Sequence, residues 1–383
     1  MTARALAGQA LSKALAERSV LVVCGSGGVG KTTTSAALGL SAAQLGRRVL
    51  VCTIDPSRRL ATSLGIGRLS HTPRQLDLSS ASPDATGELW AMTLDVKRTF
   101  DTLVERYASS PEAQERILRN PYYRQVSSAL AGSHEYMAME KLLELSADAR
   151  FDLVVLDTPP TRHALDFLDA PDRMLGFLDA SVLRFFLKPY VAAGRLTLEV
   201  ASRTGRALID IIDKAVGLQF VRDLSEFFLA FEGMYDGFKE RAARVHDLLR
   251  NPDSGFVLVA SPSPLTLEEA VYFHGRLEEK QMPFVSVIVN RVHAEPAGQS
   301  RRHTPAPTLA PDFTRRLIAI HDDLKALAAT ERRAMRRLEV DIGRVPLQIP
   351  ELDSDVHDLN GLAAVAAMLT PQRRGTPSNK RLR

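Results

Sequence analysis

A chain of 383 residues, with 45% hydrophobic and 25% charged side chains, is long enough for one large α/β domain or two ordinary ones and needs no covalent staple. The formal charge of +4 belongs to the last eleven residues: without Arg373, Arg374, Lys380, Arg381 and Arg383 the chain has 44 basic against 45 acidic side chains, which argues against a nucleic-acid-binding domain. No apolar run approaches the roughly 18–20 residues that cross a bilayer, so no transmembrane segment is predicted.

Residues 1–18 read as an amphipathic helix without the apolar core and cleavage site of a secretory signal, and a cytoplasmic location is expected. Short apolar runs, all but 89–94 containing valine or isoleucine, follow at 20–24, 49–54, 89–94, 153–157, 256–260, 285–290 and 342–347, separated by helical periodicity. Strands alternating with helices predict an α/β fold with a doubly wound, mostly parallel sheet. The two cysteines, Cys24 and Cys52, lie in apolar strand-like runs; they exclude a disulfide framework and suit a reducing compartment. Arginine far outnumbers lysine and alanine is abundant, a composition that suits a bacterial source.

The separations at about 97–150 and 166–250 are much longer than a βαβ crossover needs. Both read as helical insertions that build a subdomain within a single domain spanning 19–369. In the second, Leu224, Phe227, Phe228 and Phe231 mark a broad apolar face that fits either the core of that subdomain or a client surface. Residues 295–311 read as an irregular loop, 312–338 as a long charge-laced helix, and 370–383 as a disordered basic tail. No pair of histidines or cysteines has zinc-ligand spacing, and no transition metal is predicted.

The chemistry concentrates at the first strand. Val20–Cys24 runs directly into Gly25-Ser26-Gly27-Gly28-Val29-Gly30-Lys31-Thr32-Thr33, and a helical pattern begins at once. A strand, a glycine loop and a helix in that order give G-x-x-x-x-G-K-[ST] a mechanism, because backbone N–H groups of Gly27, Gly28, Val29 and Gly30 can cradle phosphates at a helix N-terminus. Lys31 is expected to bridge the β- and γ-phosphates, Thr32 to ligate magnesium through its hydroxyl, and Thr33 to reach the α-phosphate. ATP with Mg2+ is the ligand that this loop implies.

Two acids stand where hydrolysis needs them. Asp55 and Asp157 end the runs 49–54 and 153–157, and ligands in parallel α/β sheets bind beyond the carboxyl ends of strands. Asp157, after Phe151–Leu156, has the form of a Walker B acid that holds magnesium or one of its waters, leaving Asp55 to orient the attacking water. Either aspartate taken singly also fits a helix N-cap after a strand. His163 fits polar lining or a catalytic base.

The loop, the pair Asp55-Pro56 and the string DTPPTRHALDFL from Asp157 to Leu168 resemble the arsenical-pump ATPase (ArsA) family, including its relatives that target tail-anchored membrane proteins. The resemblance covers roughly 19–369 and implies a dimer with two facing ATP sites. It makes Asp55 and Asp157 the aspartates of two nucleotide switches. It further implies that Asn290 contacts the adenine and that Pro346, within Val345-Pro346-Leu347, packs beside the base.

Three departures stand out. Ser26 occupies the place of a lysine that reaches the partner's phosphates, the cysteines that join subunits through zinc are missing, and so are those that hold a metalloid. Two readings follow. In one, a hydrolysing dimeric switch, homodimeric or paired with a paralogous ATPase, couples its cycle to a hydrophobic or membrane-protein client. In the other, the chain is a weakly hydrolysing ATP-binding subunit beside a lysine-bearing paralogue. No specific nucleic acid is expected as partner.

Overall fold

Runs such as Val20–Cys24 and Leu153–Leu156 are apolar at every position, so their backbone hydrogen bonds and both side-chain faces must be satisfied inside a covered sheet. The computed structural model describes residues 3–55, 58–120, 123, 133–159, 168–170, 234–296 and 310–370. Pro56, Arg162, His163, Leu224, Phe227, Phe228 and Phe231, residues 297–309 and residues 371–383 lie outside these.

Among the described residues the elements in chain order are α1 (Ala3–Glu17), β1 (Val20–Gly25), α2 (Lys31–Gln44), β2 (Arg48–Thr53), α3 (Arg59–Ser63), β3 (Arg74–Gln75), β4 (Glu88–Thr93), α4 (Val96–Tyr107), α5 (Pro111–Arg119) and α6 (Ser133–Ser146). They continue with β5 (Leu153–Asp157), α7 (Tyr235–Arg250), β6 (Ser254–Ala260), α8 (Pro264–Glu279), β7 (Phe284–Val292), α9 (Pro311–Ile342), β8 (Leu347–Pro350) and α10 (Leu359–Leu369). The chain divides into two compact units, the first from Met1–Thr93, Asp148–Ala164 and Leu249–Arg383, the second from Leu94–Ala147 and Leu165–Leu248. No helix among the described residues is long and apolar enough to cross a membrane.

The first unit is an eight-stranded sheet of order β3-β4-β2-β5-β1-β6-β7-β8. Every pairing is parallel except that of the short edge strand β3 with β4. Alternate strand residues, among them Leu21, Val23, Val49, Val51, Leu153, Val155, Val257 and Val259, share one core with Leu11 and Leu15 of α1, Ala36 to Ala43 of α2, and Leu362 to Leu369 of α10. The intervening positions, including the buried residues Cys24 and Cys52, belong to the opposite face, where α8 packs near β6 and β7. Register then does the positioning: Val23 of β1 and Thr53 of β2 both lie level with Asp157 of β5.

Two boundaries differ from the sequence reading. The last strand is Leu347–Pro350, not 342–347, because Ile342 is the final buried residue of α9 and Gly343 ends that helix. The helix accordingly runs Pro311–Ile342 instead of 312–338. Strand β3 was not anticipated: Arg74 and Gln75 are both exposed and have no apolar alternation to reveal them.

The second unit is helical in its described parts. Asp95 and Ser110 cap α4 and α5 by accepting from the N–H groups of Arg98 and Ala113. Phe100, Tyr123, Tyr136 and Phe238 stack edge-on or tilted at centroid distances of 5.5–6.3 Å. Beside them Glu140, 1% exposed, accepts from Tyr136 Oη at 2.6 Å and from Arg241 Nε at 2.5 Å. A buried ion pair adds little net stability, but removing one partner strands the other charge. Arg241→Met is therefore expected to destabilise this unit by about 3–5 kcal/mol, and adding Glu140→Gln to recover most of that loss; urea unfolding of the two variants measures both.

Candidate nucleotide-binding site

Strand β1 delivers the glycine loop to the carboxyl edge of the sheet, and two glycines make the delivery sterically possible. A Cβ on Gly25 would lie 2.0 Å from the Val259 carbonyl oxygen of β6. At Gly30 the backbone has φ +93, and a Cβ would stand 2.2 Å from Asn290 Nδ2. That amide donates to the Val29 carbonyl at 2.9 Å, so β7 braces the loop. Val29 is buried, whereas Gly27 and Gly28 are exposed.

Helix α2 begins at Lys31 with no side-chain cap and no acid in its first turn, leaving its first N–H groups and dipole for an anion. Lys31 is 7% exposed, and its Nζ donates to the carbonyls of Gly25 and Ser26, each at 2.8 Å. Burial lowers its pKa, while Asp157 pulls the other way. Phosphate oxygens entering here would meet an ammonium already aimed by the loop's own carbonyls.

Asp157 is fully buried. Its Oδ2 accepts from Thr32 Oγ1 and from Thr53 Oγ1, each at 2.8 Å, and its Oδ1 from Ser35 Oγ at 3.4 Å. Burial pushes its carboxyl up to about 6, against the opposing pull of the two threonine hydroxyls and Lys31. Immediately after it Thr158 Oγ1 donates to the Val23 carbonyl at 2.8 Å and fixes the chain to β1. A threonine hydroxyl touching a carboxylate is an all-oxygen donor set, which fits Mg2+, a cation usually held by one or two carboxylates plus substrate phosphates.

Asp55 leaves β2 with its N–H donated to Thr53 Oγ1 at 3.2 Å and its carboxylate 3.9 Å from Arg59 Nη1. It lies within Coulombic reach of both Lys31 and Asp157. Thr33 Oγ1 lies 3.3 Å from Ser63 Oγ of α3. A cavity of about 80 Å3 beside the loop is lined by Gly30, Thr33, Asn290, Arg291, Pro350 and Leu352, among others. Pro346 is buried just before β8 and does not line it; the wall comes from Ile349 to Leu352. A larger apolar groove of about 620 Å3 between α8 and α9 has no phosphate-binding loop.

Three contributors escaped the sequence reading. Thr53 ends β2 two residues before Asp55, and Ser35 lies one helical turn beyond Lys31, so proximity to known site residues was the available signal. Glu269 of α8 accepts from Ser26 Oγ, and nothing in the local sequence marks it.

With the loop, the lysine and the hydroxyl–carboxylate cluster assembled at one strand edge, comparison decides the lineage: residues 18–304 match the family model described as anion-transporting ATPase, ArsA. The chain belongs to that family. It is similar to a putative arsenical pump-driving ATPase 1 of Aquifex aeolicus (strain VF5), 26% identical over 259 residues, covering 66% of this chain and 57% of the relative. ATPase GET3 of Rhodotorula glutinis is 25% identical over 276 residues, covering 71% and 69%. An ATPase ASNA1 homolog of Babesia bovis is 25% identical over 274 residues, covering 70% and 65%. The chain thus spans 57 to 69% of the length of these relatives.

The raised Asp157 carboxyl carries a stability consequence. An unfolded carboxyl titrates near 4, so with a folded value of about 6 this group favours the folded state when protonated, and the advantage is lost as pH rises from about 4 through 6. Asp157→Asn is expected to raise the melting temperature of the ligand-free protein by several degrees at about pH 8, a gain that shrinks below about pH 6 as wild type takes up its proton. Calorimetry across that range tests it; a lowered melting temperature at the alkaline end counts against a destabilising buried charge.

Proposed function

We propose that this family member binds ATP with Mg2+ at the glycine loop and hydrolyses it as a dimeric, cytoplasmic nucleotide switch. The observation that carries the reading is the contact of Thr32 with Asp157, which sets a hydroxyl–carboxylate pair one residue from a lysine held by its own loop. In this scheme Lys31 turns from the Gly25 and Ser26 carbonyls to the β- and γ-phosphates. Loop N–H groups from Gly27 to Gly30 and the start of α2 bind phosphate oxygens. Thr33 reaches the α-phosphate, and Asn290 and Pro346 belong to the base side of the site.

Thr32 and Asp157 hold the magnesium, which neutralises phosphate charge when bound. Asp55 orients the attacking water, and the Thr53 hydroxyl, bonded to both the Asp55 N–H and the Asp157 carboxylate, keeps the two acids in register. Loops ordered by the γ-phosphate and released on hydrolysis would transmit the state of the site to the helical unit and a hydrophobic or membrane-protein client. The ATPase names of the relatives favour hydrolysis over a purely binding role.

Lys31→Ala and Asp55→Asn should separate binding from chemistry. Loss of Lys31 removes a charge-assisted phosphate contact and weakens ATP affinity, whereas Asp55→Asn leaves ATP bound and slows turnover by on the order of 10²-fold. Titration of a fluorescent ATP analogue beside single-turnover hydrolysis reads the two effects; equal loss of affinity in both variants makes Asp55 a structural residue.

Ser26 bears on the choice between dimers. Its hydroxyl is too short and uncharged to reach a facing phosphate, so a homodimer should hydrolyse slowly and gain on the order of 10-fold or more from Ser26→Lys. A fast wild-type enzyme that the lysine leaves unchanged would show that this loop position supplies nothing across the dimer.

A further inference from the structure

We infer that the amino-terminal half of α9 is a self-association surface that pairs antiparallel with the same segment of a second copy of this chain. The helix has 32 residues, about 48 Å at 1.5 Å per residue, and its two halves differ. In the second half Ala328, Glu331, Met335, Leu338 and Ile342 are buried. From Glu331 the spacing of four and three continues backwards through Leu327, Leu324, Ile320, Leu317 and Phe313, which are 41–55% exposed. One seam thus runs the length of the helix, covered in one half and bare in the other. The bare half follows the end of the family match at residue 304, so the inference does not rest on the nucleotide-site reading.

The spacing selects the kind of occupant. Apolar residues at 313, 317, 320, 324 and 327 follow the alternating four-three pattern of a coiled-coil seam, with Ile318 alone among the large exposed apolar residues of this half lying off it. A membrane-surface helix would need a wide apolar face edged by lysine and arginine. Here Asp312, Asp322 and Asp323 balance Arg315, Arg316 and Lys325, leaving no basic face for anionic lipid.

Charge then selects the partner and its direction. In an antiparallel pair Leu317 packs against the second copy's Ile320 and Phe313 against its Leu324. The same alignment brings Arg316 beside the second copy's Asp323, twice by symmetry. Neither Arg316 nor Asp323 makes an ion pair with any described residue. Parallel pairing would set Arg316 opposite His321 and Asp323 opposite Ala328, without a charge match. Because the covered half already anchors the helix, association does not have to nucleate helical structure, which is the main barrier for so short a seam.

The test uses the full chain without nucleotide. Sedimentation should show a dimer that dissociates on dilution; Arg316→Asp should weaken it by about 10-fold, and Arg316→Asp with Asp323→Arg should restore it. Under mild oxidation a mixture of Phe313→Cys and Leu324→Cys chains should cross-link, while either variant alone should not, since like positions would be about 16 Å apart. A monomer at every concentration, cross-linking of each single variant with itself, or binding to phosphatidylserine vesicles without self-association would overturn the proposal. ATP affinity measured on the same samples keeps this outcome separate from that of the nucleotide site.

Discussion

The buried carboxylate of Asp157 organises this molecule. It sits where β5, β2 and α2 converge, accepting from hydroxyls of Thr53, Thr32 and Ser35, while the next residue is fastened to β1. Parallel pairing makes this convergence possible: with β5 between β1 and β2, one residue is level with both neighbours and with the end of each. The interaction is also expensive, since burial holds the carboxyl well above its usual range. Such a buried charge lowers the stability of the ligand-free fold, a cost common at functional sites.

The two units solve different packing problems. The sheet unit buries valine-rich strands on both faces and reserves polar groups for the carboxyl edge. The helical unit has no strand among its described residues and builds its described core from aromatic rings around a Glu140–Arg241 pair. Such a pair is a poor source of net stability but a strict registry mark, because any slip of α6 against α7 would leave both charges buried and unmatched. Carrying the core on aromatics and one ion pair lets two stretches far apart in sequence find a single arrangement.

Much of the sheet was legible because short apolar runs are strong period-independent signals: β1, β2, β5, β6 and β7 each lie on one that contains valine or isoleucine, and β4 on the run Leu89-Trp90-Ala91-Met92. The two strands that were missed or displaced lack that signal: β3 is two exposed polar residues, and β8 follows an apolar stretch whose first member, Ile342, is spent on a helix. The glycine loop and Asp157 could be read locally because their chemistry is contained in contiguous residues. Glu269 and the Asn290–Val29 bond could not, since each joins segments more than 240 residues apart through a contact that only the three-dimensional register creates. The cavity beside the loop is walled by Ile349 to Leu352, where β8 ends and the chain beyond it turns, a placement that no local residue pattern announces.

The bracing of the loop by Asn290 limits what that side chain can still offer. One amide hydrogen is committed to the Val29 carbonyl, and the missing Cβ of Gly30 is the space the amide occupies. What remains is one N–H and the carbonyl oxygen, both in the plane of the amide. A group that engages both must present one acceptor and one donor, so two acceptors together would meet the amide oxygen with a repulsive match. A hydrogen bond that holds a loop in shape thus also narrows what the same side chain can bind.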